Sequence, residues 1–362
     1  MGKWRKVKLV VIVFICIVSL VGCTRTKIVD KLSIVHVFGF DLDDNGNVIG
    51  SALFPEYTKS KGSDKSQYLE AKTDAVALLR PKMSTHTSTP VALSKIRVLV
   101  LGNEFATTGV NDVVERLLLT PEIATNIQIA VSSHSAKETL NTLKKGDLTL
   151  ADQIKQNMTG QQLPRMNLHV FLNHFYGEGM DPYVPMVTID ENDKIQVDRV
   201  GIFKDDKFKL HLNEQETFIF SILENYRSQA IYEIVLDKEN RADVIIIQAF
   251  RNKRKWEWVK DEQQLNLSLK LVWTITHHPD RFNLENPDDL EMIKRLIKKE
   301  VKKDIEELLN TFKEKGVDPL GIGNIVRSQD RDWDENSFYE QYPTLPINID
   351  INLEIIHSGL QG

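Results

Sequence analysis

Residues 265–276 read LNLSLKLVWTIT, and residues 286–316 read NPDDLEMIKRLIKKEVKKDIEELLNTFKEKG. In the first stretch Leu265, Leu267, Leu269, Leu271, Trp273 and Ile275 recur at every second position. Successive strand side chains point to opposite faces, so this spacing predicts a strand with one apolar face. In the second stretch Leu290, Ile293, Ile297, Val301, Ile305, Leu308 and Phe312 recur at intervals of three and four. That is the stripe of an amphipathic helix. Asn286 suits the amino-terminal cap, Pro287, Asp288 and Asp289 suit the first turn, and Gly316 suits the stop. At about 1.5 Å per residue the helix runs roughly 40 Å. Such a stripe needs a cover, and the strands on either side in sequence are the available partner. Residues 347–356 alternate again through Ile347, Ile349, Ile351, Leu353 and Ile355. The carboxy-terminal half is therefore expected to hold a long amphipathic helix on an antiparallel sheet.

Upstream of this unit, residues 195–203 and 207–212 read as a hairpin around Asp205-Asp206, residues 214–224 as a helix, and residues 231–236 and 243–251 as strands. Residues 177–185 hold two glycines and two prolines and read as a connection. Before it, strands are predicted over residues 32–41 and 48–54, joined at the turn signal Asn45-Gly46. A polar loop is predicted over 57–67, a helix from 73, and a buried strand over 95–101. Helix, strand and helix follow over 111–119, 127–131 and 136–143, with another helix over 167–175. The expected fold class is α+β and multidomain, with mixed sheets and packed helices. The expected division is a signal segment over 1–22, an amino-terminal α+β domain over 23–190, and a carboxy-terminal α+β domain over 191–362 that could subdivide near 228. No repeat of 20–50 residues is visible.

Residues 1–22 carry Lys3, Arg5, Lys6 and Lys8 and no acid, followed by an apolar run of 13 residues from Leu9 to Val21. A spanning helix needs about 20 apolar residues. Basic residues, a short apolar run and then a small residue are the layout of a secretory signal peptide. Leu20-Val21-Gly22-Cys23 resembles the bacterial lipobox, which makes Cys23 the expected lipidation site and the new amino terminus. Each acyl methylene buried in a bilayer contributes about 0.8 kcal/mol, and two or more chains give a stable anchor. Export places the body outside the cytoplasm and argues against ATP-driven chemistry. The formal net charge of the chain is −5. Without its first 22 residues it has 42 bases against 51 acids, a net of −9. That balance disfavours a general nucleic-acid role, which needs clustered positive charge. The other cysteine, Cys16, lies in the segment expected to be removed. One thiol then remains, so neither an internal disulfide nor a cysteine-rich zinc site is expected.

Each candidate for chemistry has a plainer reading beside it. Asp41, Asp43, Asn45 and Gly46 match the first half of a calcium loop, but Ala52 stands where the bidentate glutamate belongs. A polar hairpin turn is the better reading. His277 and His278 are adjacent and point to opposite faces of a strand, and His169 and His174 do not share a helical face well. Ser94 and Ser268 lack the Gly-x-Ser-x-Gly setting of a nucleophile elbow. Carboxylates are plentiful, but nothing selects the pair a glycosidase needs. Gly321 and Gly323 are a fragment of a dinucleotide motif and read as a turn. Arg251 to Lys255, followed by Trp256 and Trp258, suits anionic headgroups or a solvated hairpin end. The Lys294 to Lys303 cluster faces away from the apolar stripe and reads as a solvated face. No catalytic residue, metal ligand or cofactor is expected.

Read together, these stretches resemble the Ger(x)C lipoproteins, the C subunits of bacterial spore germinant receptors. The lipobox over Leu20 to Cys23 precedes Ile34-Val35-His36-Val37-Phe38-Gly39-Phe40-Asp41, similar to that family's opening strand. Ile96 to Phe105 resembles its central strand and turn, and Pro121-Glu122-Ile123 a proline-acid-apolar step. Val200 to Lys207 resembles the hairpin that opens its second half, with Leu212 to Glu216 after it, and Tyr342 to Ile347 onward resembles its closing region. The resemblance covers nearly the whole chain in order. Thr24-Arg25 departs from the Trp-Asp that often follows the lipidated cysteine, and Pro81 and residues 84–90 are unusual.

The resemblance implies a non-enzymatic receptor subunit on the outer surface of the inner spore membrane. Its implied partners are the receptor A and B subunits, and Cys23 is the one residue whose role carries over. Two other classes compete. An exported solute-binding lipoprotein would need a deep cleft between similar halves. A lipid-anchored cell-wall hydrolase would need paired carboxylates or a metal. Direct small-molecule binding is left open.

Overall fold

A computed structural model of the chain describes residues 32–55, 66–145, 150–159, 163–224, 230–236 and 243–356, together with Trp4. Cys23, the rest of the expected signal segment and the point near 228 lie outside these residues. The chain enters through β1 (Ser33–Ile34), β2 (Val37–Leu42), β3 (Val48–Pro55) and β4 (Ser66–Thr73). The β2–β3 turn forms because Asp43 Oδ1 accepts the backbone N–H groups of Asn45 at 3.0 Å and Asn47 at 2.7 Å, while Gly46 takes φ +78°. Then follow α1 (Val76–Ser84), β5 (Val91–Ala92), β6 (Val98–Leu101), α2 (Asn103–Thr108), α3 (Asn111–Leu118), β7 (Gln128–Ser132), α4 (Ala136–Lys145), α5 (Leu150–Thr159), α6 (Leu168–Phe175) and β8 (Tyr183–Ile189). The hairpin β9 (Ile195–Lys204) and β10 (Lys207–Leu212) comes next.

These strands form an eight-stranded mixed sheet in the order β10-β9-β8-β7-β6-β2-β3-β4. Its centre, β2-β6-β7-β8, is parallel and its flanks are antiparallel. Helical crossovers cover parallel strands on both faces, which is why Val98, Leu99, Val100 and Leu101 of β6 are all buried. Two elements differ from the sequence reading. Residues 66–73 are strand, overlapping the end of the loop expected over 57–67 and the first residue of the helix expected from 73, and the helix starts at Val76, because Tyr68 and its neighbours pair with β3 along its whole length. Residues 183–189 are strand, which takes in the last three residues of the connection expected over 177–185. Pro185 looks like a breaker, but the ladder to β7 begins at Met186, so no hydrogen bond of that ladder is lost.

The second unit comprises α7 (Glu214–Leu223), β11 (Ile231–Val235), β12 (Val244–Val259), β13 (Gln264–His277), α8 (Pro287–Lys315), α9 (Ile322–Gln329), α10 (Glu335–Gln341) and β14 (Ile347–Ile355). α8 is capped as its sequence requires. Asn286 accepts the Asp288 N–H, and Gly316 closes the helix at φ +64°. Its stripe, Ile293, Ile297, Val301, Ile305, Leu308, Leu309 and Phe312, is buried, as are Leu265, Leu267, Leu269, Leu271, Trp273 and Ile275 of β13. Each such side chain contributes roughly 1.5–3 kcal/mol of burial, offset in large part by chain entropy. The sheet order is β11-β12-β13-β14. The first three strands are antiparallel as expected. β14 joins β13 in parallel, because the chain crosses over through α8 before returning.

The expected division at 190/191 falls in the turn between β8 and β9. Those strands pair antiparallel from Tyr183↔Ile202 to Ile189↔Ile195, so the large sheet runs across that point.

Candidate functional site

The half-loop of calcium type comes apart in three dimensions. Asp41 is buried, and its carboxylate accepts the Ala136 and Lys137 N–H groups at 2.7 and 2.8 Å, holding the start of α4. Gly102 makes this possible, since a Cβ there would lie 1.9 Å from Asp41 Oδ1. Burial pushes the Asp41 carboxyl up, against the pull of those two N–H bonds. Asp43 stays in the hairpin turn, paired with Lys72. Among the described residues no group of three or more His, Cys, Asp and Glu is placed to hold a metal ion. His174 packs edge-on against Tyr183, 5.3 Å between ring centroids, and burial lowers its pKa to about 4, so it is neutral. His169 and Ser94 are exposed. Ser268 sits on the open face of β13, between Lys255 and Asp350 as cross-strand neighbours.

The basic run lies inside β12 and not at a hairpin end. Lys253 and Lys255 point outward and are exposed, while Trp256 and Trp258 pack against the core on the opposite side. A strand cannot offer both sets to one membrane surface. The outward face of this sheet also carries Ile231 and Val235, 66% and 46% exposed, and Lys270. Phe250, 53% exposed, stands at the bulge where the β12–β13 register shifts. This is the face opposite α8, a broad surface of mixed apolar and charged character.

The most heavily built polar site joins the two halves of the chain. Asp318 follows α8 by three residues and is fully buried. Its Oδ1 accepts the Ile322 N–H at 2.8 Å, and its Oδ2 accepts the Gly323 N–H at 2.7 Å and the Tyr339 hydroxyl at 3.3 Å. Asp181, at the entry to β8, accepts the Asp318 N–H at 2.6 Å and pairs with Lys204 of β9 at 3.2 Å. Lys204 in turn lies 4.6 Å from the centre of the Tyr339 ring. Asn324 N–H donates to the Gly179 carbonyl at 2.8 Å, and Gly179 N–H donates to Glu335 at 3.0 Å. Gly323 permits this backbone contact, because a Cβ there would stand 2.9 Å from Gly179 Cα.

Burial pushes the Asp318 carboxyl up to about 7, opposed by its two backbone N–H bonds and reinforced by Asp181. Asp181 is raised too, chiefly by burial, with Lys204 pulling it back. A second polar knot lies nearby, where the Tyr183 hydroxyl donates to Glu224 at 3.3 Å and Arg254 of β12 pairs with the same carboxylate at 3.4 Å. Chemically, both knots are locks: their acceptors are engaged by backbone and side-chain donors. The sequence reading passed over them. The available signal was the Asp-Pro pair that occurs in both connections, Asp181-Pro182 and Asp318-Pro319. Gly321 and Gly323, read as a turn, belong to the first lock: Gly321 precedes α9 at φ +64°.

Comparison with known proteins gives a consistent result. Residues 25–189 match the family described as "Spore germination protein N-terminal domain", and residues 198–359 match "Spore germination B3/ GerAC like, C-terminal". The chain is 25% identical over 349 residues to "Spore germination protein GerQC" of Bacillus cereus, covering 95% of this chain and 96% of that one. It is 21% identical to "Spore germination protein KC" of Bacillus subtilis (strain 168), covering 99% and 97%. Among solved structures it is similar to the crystal structure of the GerBC protein, with a TM-score of 0.58 and 14% identity over 88% of this chain and 96% of that one. At that identity the likeness concerns the fold.

Proposed function

The chain belongs to the GerAC-like spore germination family, and from that premise we propose that it is the lipid-anchored C subunit of a spore germinant receptor, acting by assembly with the membrane A and B subunits. The observation that carries the reading is the order of the two family matches, 25–189 then 198–359, directly behind the stretch Leu20-Val21-Gly22-Cys23 that resembles a lipobox. In this reading residues 1–22 are removed and Cys23 carries the acyl chains. The units 23–190 and 191–362 then stand on the outer surface of the inner spore membrane. The anchor confines the subunit to two dimensions, which raises its effective concentration beside membrane partners without any new contact. The subunit works without catalysis of its own. The open face of the carboxy-terminal sheet, with Ile231, Val235, Phe250, Lys253 and Lys255, is the surface we assign to subunit contact.

The test is germination of spores lacking the gene, followed by dipicolinate release across a panel of amino acids, sugars and nucleosides. Loss of response to one nutrient class, restored by the wild-type gene, is expected. A normal response across the panel, together with no capture of A or B subunits from membranes, overturns the reading. Restoring the gene as Cys23→Ala should leave the protein without its lipid and the response weakened. Membrane-bound protein with normal germination would remove Cys23 from the proposal.

A further inference from the structure

The eight-stranded sheet carries an apolar cavity that neither lock nor sheet surface uses. It lies under α1 and α3, against β2 and β6, with a volume of about 320 Å³. Phe40, Leu79, Leu99, Val113, Leu117 and Ile123 are among its walls. Ligand pockets of folded proteins begin at about this size, and an engineered apolar cavity of about 150 Å³ already takes up benzene. The space therefore suits an apolar body of about ten heavy atoms. Arg80 and Arg116 are also among its lining residues, Arg116 exposed at the rim. Arg80 is fixed in place: its Nε donates to the Val91 carbonyl and its Nη1 to Glu122 Oε1, each at 3.1 Å. Arg116 has no side-chain partner among the described residues, although it stands one turn from Val113 and beside Leu117, both of which face the cavity. Ser84 and Thr120 add hydroxyls, and no carboxylate lines the space to receive an ammonium group. An apolar interior with a solvent-exposed arginine at its rim favours a molecule with an apolar body and one anionic head that reaches the rim.

We propose that this cavity is a binding site for a small monocarboxylate with an aliphatic or aryl body, whose carboxylate is received by Arg116. The site is independent of the receptor reading, since binding is measured on the isolated protein. The experiment is calorimetric titration of the full-length chain in lipid nanodiscs at pH 7.5, with empty nanodiscs as the blank. Octanoate, 1-octanol and octylamine are the probes. Saturable one-site binding of octanoate is expected, with octanol about tenfold weaker, the factor that 1.4 kcal/mol of head-group interaction produces. Octylamine should give only the blank's heats. Arg116→Gln should bring octanoate to the level of octanol and leave octanol unchanged. Val113→Trp, which fills the cavity, should abolish binding of both. Octanoate heats equal to the blank, octylamine binding as tightly as octanoate, or an unchanged octanoate affinity in Arg116→Gln would each overturn the proposal. If Val113→Trp does not fold, the Arg116→Gln comparison decides alone.

Discussion

Replacing Asp318 with Asn tests the lock between the two halves through its proton. The wild-type carboxyl is held at about 7 in the folded chain, against about 3.9 when unfolded. Below pH about 4 both states are protonated and the folded state bears no charge penalty. Between about 4 and about 7 the unfolded chain releases the proton and the folded chain keeps it. Stability therefore falls by about 1.4 kcal/mol per pH unit, and above about 7 the loss is complete. From pH 5 to pH 8 this one group costs about 2.7 kcal/mol. The amide of the Asp318→Asn variant cannot titrate, so this slope is absent from its curve. It also offers a single acceptor oxygen to three donors, Ile322 N–H, Gly323 N–H and the Tyr339 hydroxyl. That loss is independent of pH and amounts to about 1–3 kcal/mol. The expected result is a crossing. At pH 5 the variant is less stable than wild type, and by pH 8 the gap has closed or reversed. Urea unfolding followed by tryptophan fluorescence at pH 5, 6, 7 and 8 measures it. The burial of Asp181 raises its own carboxyl in both proteins, so the difference between the two curves isolates Asp318. Curves that stay parallel over this range would refute the reasoning.

Two further outcomes follow from packing and capping. Ile297→Asp places a carboxylate in the buried stripe of α8, where an unpaired polar group costs at least about 1–3 kcal/mol and a charge far more. It should melt the second unit at a temperature where wild type is folded, and unchanged melting would show that the stripe does not pack as described. Asp41→Ala leaves the Ala136 and Lys137 N–H groups without their acceptor at the start of α4. It should lower the urea midpoint by the equivalent of about 1–3 kcal/mol, with Asp41→Asn recovering part of the loss; equal midpoints for wild type and Asp41→Ala would remove this cap from the account.

The carboxy-terminal unit was legible because its signals are local. The α8 stripe, its Asn286 and Gly316 caps and the alternation of β13 each follow from the spacing of neighbouring residues. The direction of β14 was not legible, since strand polarity is fixed by the crossover and not by alternation. β4 and β8 were missed for the same kind of reason. Ser66 to Thr73 is polar because it is an edge strand, half exposed to water, and Pro185 disguises a strand whose ladder to β7 starts one residue later. The lock residues were hidden by distance in sequence. Asp181 and Asp318 are separated by 137 positions, and nothing in either connection alone says that they share one buried site. The cavity beside Arg116 was equally hidden, because its walls come from separate stretches of chain. Family resemblance compensated for the global arrangement, and it offered no residue in either site.

The placement of the two locks bears on how the two units are joined. One family match ends at 189 and the next begins at 198, so by sequence β9 and β10 open the second unit. By hydrogen bonding they complete the sheet of the first. The Asp181–Asp318 contact, the Lys204 pair and the Glu224–Arg254–Tyr183 knot all sit where these strands meet α7, α8 and β12. The two units are joined there by directional bonds among buried and partly buried groups. Linkers absorb displacement, whereas packed cores and satisfied polar networks pass it on because they have few alternative arrangements. Asp318 is the titratable group buried deepest in this contact. Burial disfavours the charged carboxylate while the Ile322 and Gly323 N–H bonds favour it, and the Asp318→Asn curves measure which of the two governs the lock.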